Sequence, residues 1–388
     1  MKNILIFSGF YDYEKLNNFI IDPNFYYYTN IYLPNVIYLK TDKKKPLLFL
    51  DSNSYKKIPN NSEYIKYKLI DFSLFRDEIK KYKYYSLNNL NEINKLIEID
   101  NTILDEFTID YHILEEYCIN NRGIKDEYEI IHIKMACLET SKAIKDLWKN
   151  IKKYNNCFQL VNHIKCYLGK KNINDFSYNP ICSSGYNNTI LHNPNLDEKI
   201  KSNELILLDI GCKFNGYCSD ITRTFPKNGK FNSSQKIIYN IVLKINKDSI
   251  KNLKENVNID SIEKKCFENI YIELNKLNIF SKINKTINEQ IELGKLFMYH
   301  KLSHSIGIDV HDPVNTNILK KNMIITIEPG IYFKKSLLKN KEINVKNIKK
   351  YMNVGGIRIE DTVLILKNKC KILNNITKEI NSIEKLLY

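Results

Sequence analysis

The sequence predicts an α+β protein in which a smaller α/β domain precedes a larger α+β domain. Near the N-terminus, short apolar runs typical of strands alternate with polar segments. After Ile124 a long amphipathic stretch has apolar residues at helical spacing. Beyond about residue 175, strand-like runs are interrupted by helical stretches and include an Asn-Gly pair of the kind found in antiparallel hairpins.

Residues 1–115 are predicted to form the smaller domain, in which NVIYLK and PLLFLD have the composition of strands. This segment contains no catalytic constellation. Residues 116–388 are predicted to form the second domain. It is expected to open with the amphipathic helix KDEYEIIHIKMACLETSKAIKDLWKNI, where Asp126 lies near the start and favours the positive helix end.

Two further helices are predicted in the second domain. NSSQKIIYNIVLKINKDSIKNL begins with Asn232 and Ser233, which are both good N-cap residues. IDSIEKKCFENIYIELNKL has the same helical spacing of apolar residues. The chain has no G-x-G-x-x-G motif and no phosphate loop, so no motif supports nucleotide binding.

The composition is that of a globular protein without a nucleic-acid or membrane partner. The 388 residues leave room for two domains, and 43% hydrophobic with 27% charged residues is typical of folded chains. The net charge is +15, but the lysines are spread along the whole chain, so we expect a solvated basic surface and no nucleic-acid partner. No apolar run approaches the ~18 residues that span a bilayer, so no membrane association is expected.

The cysteines and the N-terminus predict a cytoplasmic protein. The nine cysteines are odd in number, begin only after residue 117 and include no C-x-x-C pair. This usage fits reduced thiols better than a disulfide framework. MKNILIFSGFYDYEKL has only a brief apolar run, followed by acidic residues and no small-residue cleavage site, which argues against a signal or transit peptide.

The most informative stretch is ELILLDIGCKFNGYCSDITRTFP, residues 204–226. Asn215-Gly216 favours a hairpin turn between two β-rich runs. Folding the chain there places Asp209 opposite or diagonal to Asp220, where cross-strand neighbours lie roughly 5 to 8 Å apart. Two carboxylates that close repel unless a proton or a cation lies between them. The pair therefore predicts a metal site.

Two glutamates and a histidine cluster occur in the same domain. Glu328 ends the apolar run NMIITIE, and Glu360 lies in GGIRIEDTVLIL, where strand alternation puts it on one face with Arg358. HKLSHSIGIDVHD, residues 300–312, holds three of the seven histidines. One acid at a strand end is commonly a solvated charge, but the set as a whole predicts a metal site. Oxygen ligands with imidazole suit Mn, Fe, Co or Zn, and bridging carboxylates are typical of two-metal hydrolases.

Four motifs resemble the catalytic domain of the pita-bread metallopeptidases, the family of methionine aminopeptidase, prolidase and aminopeptidase P. They are LLDIGCKFNGYCSDITRTFP, HKLSHSIGIDVHD, MIITIEPGIYF and GGIRIEDTVLI, within residues 175–388. Residues 1–115 resemble the smaller N-terminal domain of the aminopeptidase P and prolidase branch. The resemblance implies a pita-bread catalytic domain with two divalent metal ions and a bridging hydroxide as nucleophile. We expect Mn²⁺, with Zn²⁺, Co²⁺ or Fe²⁺ as alternatives.

The resemblance also implies a role for each site residue. Asp209 is expected to bind one metal and His304 with Glu328 the other, while Asp220 and Glu360 bridge the pair. Glu328 is also the expected general base. The remaining active-site positions contact the substrate, stabilise its tetrahedral intermediate or orient the carboxylates: His192, His300, His311, Tyr332 and Arg358.

Three functions are compatible with this site. The Ser-His pair in HKLSHSIGIDVHD and the C-terminal GGIRIEDTVLI resemble aminopeptidase P, so we expect release of the N-terminal residue from peptides with proline second, by a homo-oligomer such as a dimer. Xaa-Pro dipeptidase (prolidase) is the alternative, because I-D-V-H-D is shared with prolidase. Lys301, which replaces a glycine common in the family, could also bind a dipeptide's carboxylate. The third possibility is a non-catalytic pita-bread protein that binds RNA, ribosomes or a protein partner; such proteins have generally lost ligands that this chain keeps.

Overall fold

A computed structural model describes residues 3–7, 23–29, 36–40, 46–50, 68–71, 84–86, 121–281 and 284–387. The chain divides into two compact units, residues 1–122 and 123–388. The predicted domain boundary, between residues 115 and 116, lies outside the described residues and stays a prediction.

The described part of the first unit forms a five-stranded mixed sheet in the order β4-β3-β2-β1-β5. Its elements are β1 (Asn3–Phe7), α1 (Pro23–Thr29), β2 (Val36–Lys40), β3 (Leu47–Leu50), β4 (Lys68–Asp71) and β5 (Tyr84–Ser86). β2 pairs antiparallel with β1 and β3, whereas β3 with β4 and β1 with β5 are parallel. The strands predicted from NVIYLK and PLLFLD are confirmed as β2 and β3.

The second unit mixes helices with short antiparallel sheets, which confirms the predicted α+β class. Its helices are α2 (Glu127–Asn150), α3 (Cys157–Gly169), α4 (Ser233–Lys251), α5 (Ile259–Lys276), α6 (Ile287–Lys295), α7 (Val345–Ile348) and α8 (Ile380–Leu386). Its strands are β6 (Ile181–Ser184), β7 (Leu205–Ile210), β8 (Lys213–Phe214), β9 (Tyr217–Cys218), β10 (Ile221–Pro226), β11 (Ile324–Ile327), β12 (Gly330–Tyr332), β13 (Gly356–Arg358), β14 (Asp361–Ile365) and β15 (Cys370–Ile372).

The predicted helices begin at residues that satisfy their first backbone N–H groups. Asp126 caps α2 in a capping box: its side chain accepts from the backbone of Glu129, whose side chain accepts from the backbone of Asp126. Asn232 caps α4 in the same way with Gln235. Of the two predicted cap residues of α4, Asn232 is the N-cap and Ser233 is the first helical residue.

The strands form two three-stranded sheets, ordered β10-β7-β6 and β11-β14-β15, and two smaller pairs, β8-β9 and β12-β13. The β8-β9 hairpin turns at Asn215 and Gly216, whose φ angles are 46° and 82°. Both angles lie in the left-handed region that an Asn-Gly turn adopts readily. The predicted hairpin is therefore confirmed.

One continuous hydrophobic core joins these sheets to the helices. Trp148 of α2 is fully buried and packs edge-on against Phe225 of β10, with ring centroids 5.5 Å apart. The eight cysteines in the described ranges are all free thiols. No helix among the described residues is both long enough and apolar enough to cross a membrane.

Candidate active site

A cavity of about 900 Å³ opens in the second unit. Nine of the predicted site residues line it: His192, Asp209, Asp220, His300, His304, His311, Glu328, Arg358 and Glu360. Tyr332 lies behind the wall, where its hydroxyl contacts both His300 and Arg358. The structure thus brings together residues that are up to 168 positions apart in the sequence.

Strand register brings the four carboxylates together in two pairs. Asp209 pairs with Thr222 across β7 and β10, so Asp220 lies two residues away, on the diagonal and on the same face. This is the relation that the sequence predicted. Ile327 pairs with Asp361 across β11 and β14, so the residues just beyond that pair, Glu328 and Glu360, lie side by side at the strand ends.

Three side chains form a cluster whose dimensions suit a metal ion. Asp220, His304 and Glu360 each offer one ligand atom, and these atoms all lie within 4.8 Å of one another. Nε2 of His304 is 3.4 Å from Oδ2 of Asp220 and 3.6 Å from Oε1 of Glu328. These separations are too long for strong hydrogen bonds but suit ligands that share one cation.

The histidine in this cluster is held in the tautomer that a metal ligand needs. Nδ1 of His304 lies 3.1 Å from the carbonyl oxygen of Ser305. A carbonyl only accepts hydrogen bonds, so Nδ1 carries the proton and Nε2 presents its lone pair to the carboxylates. Such a fixed outer hydrogen bond is the usual support for a metal-binding imidazole.

The carboxylates crowd one another too closely to be ionised together without a cation. Burial, reinforced by the charge of Asp209, raises the pKa of Asp220 well above its usual range. Burial and the charge of Asp220 raise the pKa of Glu360 in the same way. The pKa of Glu328 rises to about 8, mainly through burial and then through Glu360. Carboxylates that cannot all be ionised without a positive charge between them are suitable ligands for divalent metal ions.

Asp209 differs because an arginine compensates its charge. Burial alone would raise its pKa, but the charge of Arg358 and the hydrogen bonds from Tyr178 and Arg358 hold the pKa of Asp209 below its usual range. Nη2 of Arg358 donates to Oδ2 of Asp209 at 2.6 Å, and Arg358 is 3% exposed. The guanidinium therefore fixes this carboxylate in its ionised form.

A directed hydrogen-bond chain runs from Arg358 to His300. Nη1 of Arg358 donates to the hydroxyl of Tyr332 at 2.9 Å. Nδ1 of His300 lies 2.8 Å from the carbonyl of Lys301, so it is the protonated nitrogen, and Nε2 accepts from Tyr332 at 2.8 Å. Burial first, and Arg358 second, lower the pKa of His300 to about 3, so the ring is neutral.

His192 and His311, the two other histidines of the cavity, are exposed to it. The rings of His304 and His311 lie 4.2 Å apart between centroids. Burial is the main cause that lowers the pKa of His311, and the neighbouring imidazoles of His304 and His192 act in the same direction. His192 and His311 are both exposed, and neither belongs to the three-residue ligand cluster. They are therefore placed to contact a molecule in the cavity.

Two residues that the sequence did not single out contact the carboxylates directly. The hydroxyl of Tyr178 lies within hydrogen-bonding distance of both Asp209 and Asp220, 2.6 Å from Oδ1 of Asp220, and shares its one hydrogen between them. The hydroxyl of Thr222 donates to Oε2 of Glu360 at 2.8 Å. Tyr178 is one of 27 tyrosines and lies in no motif, so no local signal distinguished it. The alternation of β10 could have indicated Thr222, two residues beyond Asp220 on the same face.

Comparison with known proteins identifies the family. Residues 132–367 match the profile of Metallopeptidase family M24. A probable Xaa-Pro aminopeptidase from Pyrenophora tritici-repentis is 33% identical over 296 residues, covering 70% of this chain and 63% of the relative. An uncharacterized peptidase from Saccharomyces cerevisiae is 31% identical over 294 residues, covering 69% of this chain and 55% of the relative. The chain thus spans less than two thirds of the length of these relatives.

Solved structures show the same fold. Aminopeptidase P from Escherichia coli, determined with the inhibitor Pro-Leu, superposes with a TM-score of 0.83 at 23% identity and covers 100% of this chain and 94% of that one. The Pseudomonas aeruginosa aminopeptidase PepP gives a TM-score of 0.83 at 22% identity, with 100% and 93% coverage. The predicted pita-bread fold with a smaller N-terminal domain is confirmed.

The chain belongs to metallopeptidase family M24. Membership of this family implies divalent metal ions, which the cluster of Asp220, His304 and Glu360 fits. The predicted family is therefore confirmed, whereas the individual roles assigned to the site residues stay predictions.

Proposed function

We propose that this protein is a metal-dependent aminopeptidase that releases the N-terminal residue from peptides with proline in second position. The observation that carries the proposal is the convergence of the five predicted ligands on one cavity, together with two exposed histidines. A relative named as a probable Xaa-Pro aminopeptidase supports the same choice of substrate.

Five residues would hold two divalent metal ions. Asp209 would contribute to one position, His304 and Glu328 to the other, and Asp220 and Glu360 to both. When bound, the ions supply Lewis acidity and lower the pKa of water into the neutral range. We propose Mn²⁺ as the metal, because oxygen-dominated ligands with one imidazole suit it; Zn²⁺, Co²⁺ and Fe²⁺ are compatible with the same donors.

The chain's own side chains then perform the proton transfers and orient the substrate. Glu328, at the strand end facing the cavity, accepts a proton from the attacking water and delivers it to the nitrogen of the leaving peptide. His311 and His192 donate hydrogen bonds to the carbonyl oxygen as it gains negative charge. Arg358 keeps Asp209 ionised and in place, Tyr332 accepts a hydrogen bond from Arg358, and His300 forms the adjoining wall.

A second candidate, Xaa-Pro dipeptidase, is favoured by one residue. Lys301 is exposed and lines the cavity next to His300, and no ion-pair partner is found for it among the described residues. Its ammonium group could bind the free carboxylate of a dipeptide, which would be costly to bury unpaired. Arg358 cannot take this role, because Asp209 and Tyr332 already engage it.

The wider biological setting also belongs to this proposal. We assign residues 1–115 to a short aminopeptidase P-like N-terminal domain and residues 116–388 to the catalytic domain. The protein acts in the cytoplasm as a homo-oligomer, such as a dimer; the free thiols of the described cysteines support a reducing compartment. A binding-only role is disfavoured because the five predicted ligands are all retained.

A peptide panel in added Mn²⁺ tests the proposal. Peptides Xaa-Pro-Yaa, with free and amidated C-termini, are compared with Xaa-Pro dipeptides, and products are identified by mass spectrometry. We expect free Xaa from the longer peptides at the higher kcat/KM, with little effect of amidation. A strong preference for free dipeptides that Lys301→Gly weakens would establish the dipeptidase instead, and no hydrolysis of either class would favour the binding role.

A further inference from the structure

A single buried amide connects the two backbone segments that carry the paired glutamates. Asn246 lies in α4 and is completely buried. Its Nδ2 donates to the carbonyl oxygen of Ile327 at 3.2 Å and to that of Ile359 at 3.2 Å. These carbonyls belong to the residues immediately before Glu328 and Glu360. One side chain therefore joins both segments at the point where each presents its carboxylate to the cavity.

The orientation of this amide is fixed from behind. Nζ of Lys378 donates to the amide oxygen of Asn246 and also to Oδ2 of Asp361. Because the oxygen is occupied in this way, the nitrogen must face the two carbonyls. The Lys378 side chain is 13% exposed and that of Asp361 is 1% exposed, so the arrangement is shielded from water.

The segment around Glu360 is held by an arginine as well. Arg223 of β10 is completely buried and donates to the carbonyl oxygen of Glu360 and, at 2.7 Å, to Oδ1 of Asp361. Apolar packing of α4 on the strands would hold these elements together, but it would not fix the backbone next to Glu328 and Glu360 to a fraction of an ångström. Hydrogen bonds have directional geometry, so they set distances that packing alone leaves variable.

We propose that Asn246 is a positioning residue of the metal site, whose carboxamide sets the separation of Glu328 and Glu360 and thereby the affinity for divalent metal ions. The inference rests on the metal-binding role proposed above. Side chains behind metal ligands commonly change metal affinity by 10- to 100-fold when they are removed. The same range is expected here, because loss of the amide frees two ligand-bearing segments at once.

The alternative is that Asn246 only stabilises the packing of α4 on the strands. A second buried asparagine separates the two possibilities. Asn188 is 1% exposed and donates to the carbonyls of Leu205 and Gly356 at 3.1 and 3.3 Å, while its oxygen accepts from Ser183. Like Asn246, it donates to two backbone carbonyls and accepts from one side chain, but its carbonyl partners lie four residues from the nearest predicted metal ligands.

The experiment titrates the full-length chain with metal after chelator treatment. Wild type, Asn246→Leu and Asn188→Leu are titrated with Mn²⁺ by calorimetry and with Co²⁺ by visible absorption, and unfolding is followed separately without metal. We expect about 10- to 100-fold weaker metal binding and an altered Co²⁺ spectrum in Asn246→Leu. Asn188→Leu should lose comparable stability and keep the wild-type metal affinity and spectrum.

Each other outcome is decisive. Wild-type affinity in folded Asn246→Leu, or an equal loss of affinity in Asn188→Leu, would overturn the positioning role and leave the metal site intact. Failure of the wild type to bind either ion would instead overturn the proposed function. If Asn246→Leu does not fold, Asn246→Asp and Lys378→Met take its place. Asn246→Asp replaces the donor at constant size, and Lys378→Met frees the amide to rotate; unchanged metal affinity in whichever variant folds would overturn the inference.

Discussion

Replacing Lys125 by methionine tests how the histidine loop is held. Nζ of Lys125 lies 2.8 Å from Oδ2 of Asp312, and the two side chains are 0% and 2% exposed. Asp312 directly follows His311, and its backbone N–H donates to the carbonyl of Ser305, next to His304, at 3.0 Å. Breaking the ion pair therefore disturbs both histidines.

The magnitude follows from the burial of the pair. At 2.8 Å and an effective dielectric constant of about 20, the attraction is roughly 6 kcal/mol, part of which desolvation offsets. Removing one partner of a buried pair costs about 3–5 kcal/mol, because the other charge stays buried. Asp312 keeps a long hydrogen bond from the backbone of Asp309, at 3.3 Å. We therefore expect Lys125→Met to lower the free energy of unfolding by about 3 kcal/mol at pH 7, the lower end of this range.

The assay is urea unfolding of the full chain, using the transition that moves when metal is added. Lys247→Met is the matched control, because its partner Glu379 is 2.6 Å away in a pair whose side chains are 49% and 52% exposed. Lys247→Met should lower the free energy of unfolding by at most about 1 kcal/mol. The double variant Lys125→Met/Asp312→Asn should recover much of the loss. A loss no larger than the control's, or no recovery in the double variant, would show that the buried pair of Lys125 and Asp312 does not contribute this energy.

The other predictions concern the metal ligands, the cavity histidines and one buried acid. Asp220→Ala should abolish hydrolysis and metal loading while circular dichroism stays close to that of the wild type; two metals per chain with normal turnover would contradict its bridging role. His311→Ala should keep its metals and lose roughly a hundredfold or more in kcat, whereas His304→Ala should lose metal first; equal metal contents would show that the two roles were wrongly divided. Burial raises the pKa of Glu129 from 4.5 to about 7. Because the folded pKa is above the unfolded one, this group's contribution to stability is greatest below pH 4.5 and is lost as the pH rises towards 7. As the pH rises from 5 to 8, the free energy of unfolding of Glu129→Gln should therefore increase by about 2 to 3 kcal/mol relative to that of the wild type, as measured by urea unfolding. A difference between the two proteins that does not change with pH would contradict the raised pKa of Glu129.

Local signals made part of this structure predictable. Asn215-Gly216 gave the hairpin, and Asp126 and Asn232 gave the starts of two helices, because turns and caps depend on residues within a few positions of one another. The set of cavity residues was predicted from four sequence motifs that resemble those of the pita-bread metallopeptidases. The register between Asp209 and Asp220 followed from the turn and the alternation of the strands.

The supporting contacts were not predictable, because they join residues that are distant in the chain. Tyr178 reaches Asp220 across 42 positions, and Asn246 reaches the carbonyl of Ile359 across 113. Lys125 pairs with Asp312 across 187 positions. No local pattern distinguishes such a tyrosine, asparagine or lysine from the many others in the sequence. Their roles are set by the tertiary fold.

Anomalous diffraction from crystals grown with Mn²⁺ would show whether five side chains of this cavity hold two divalent metal ions. We expect two anomalous peaks, both in contact with Asp220 and Glu360, with Asp209 at one and His304 with Glu328 at the other. One peak only, no peak in the cavity, or two peaks away from these carboxylates would contradict this expectation.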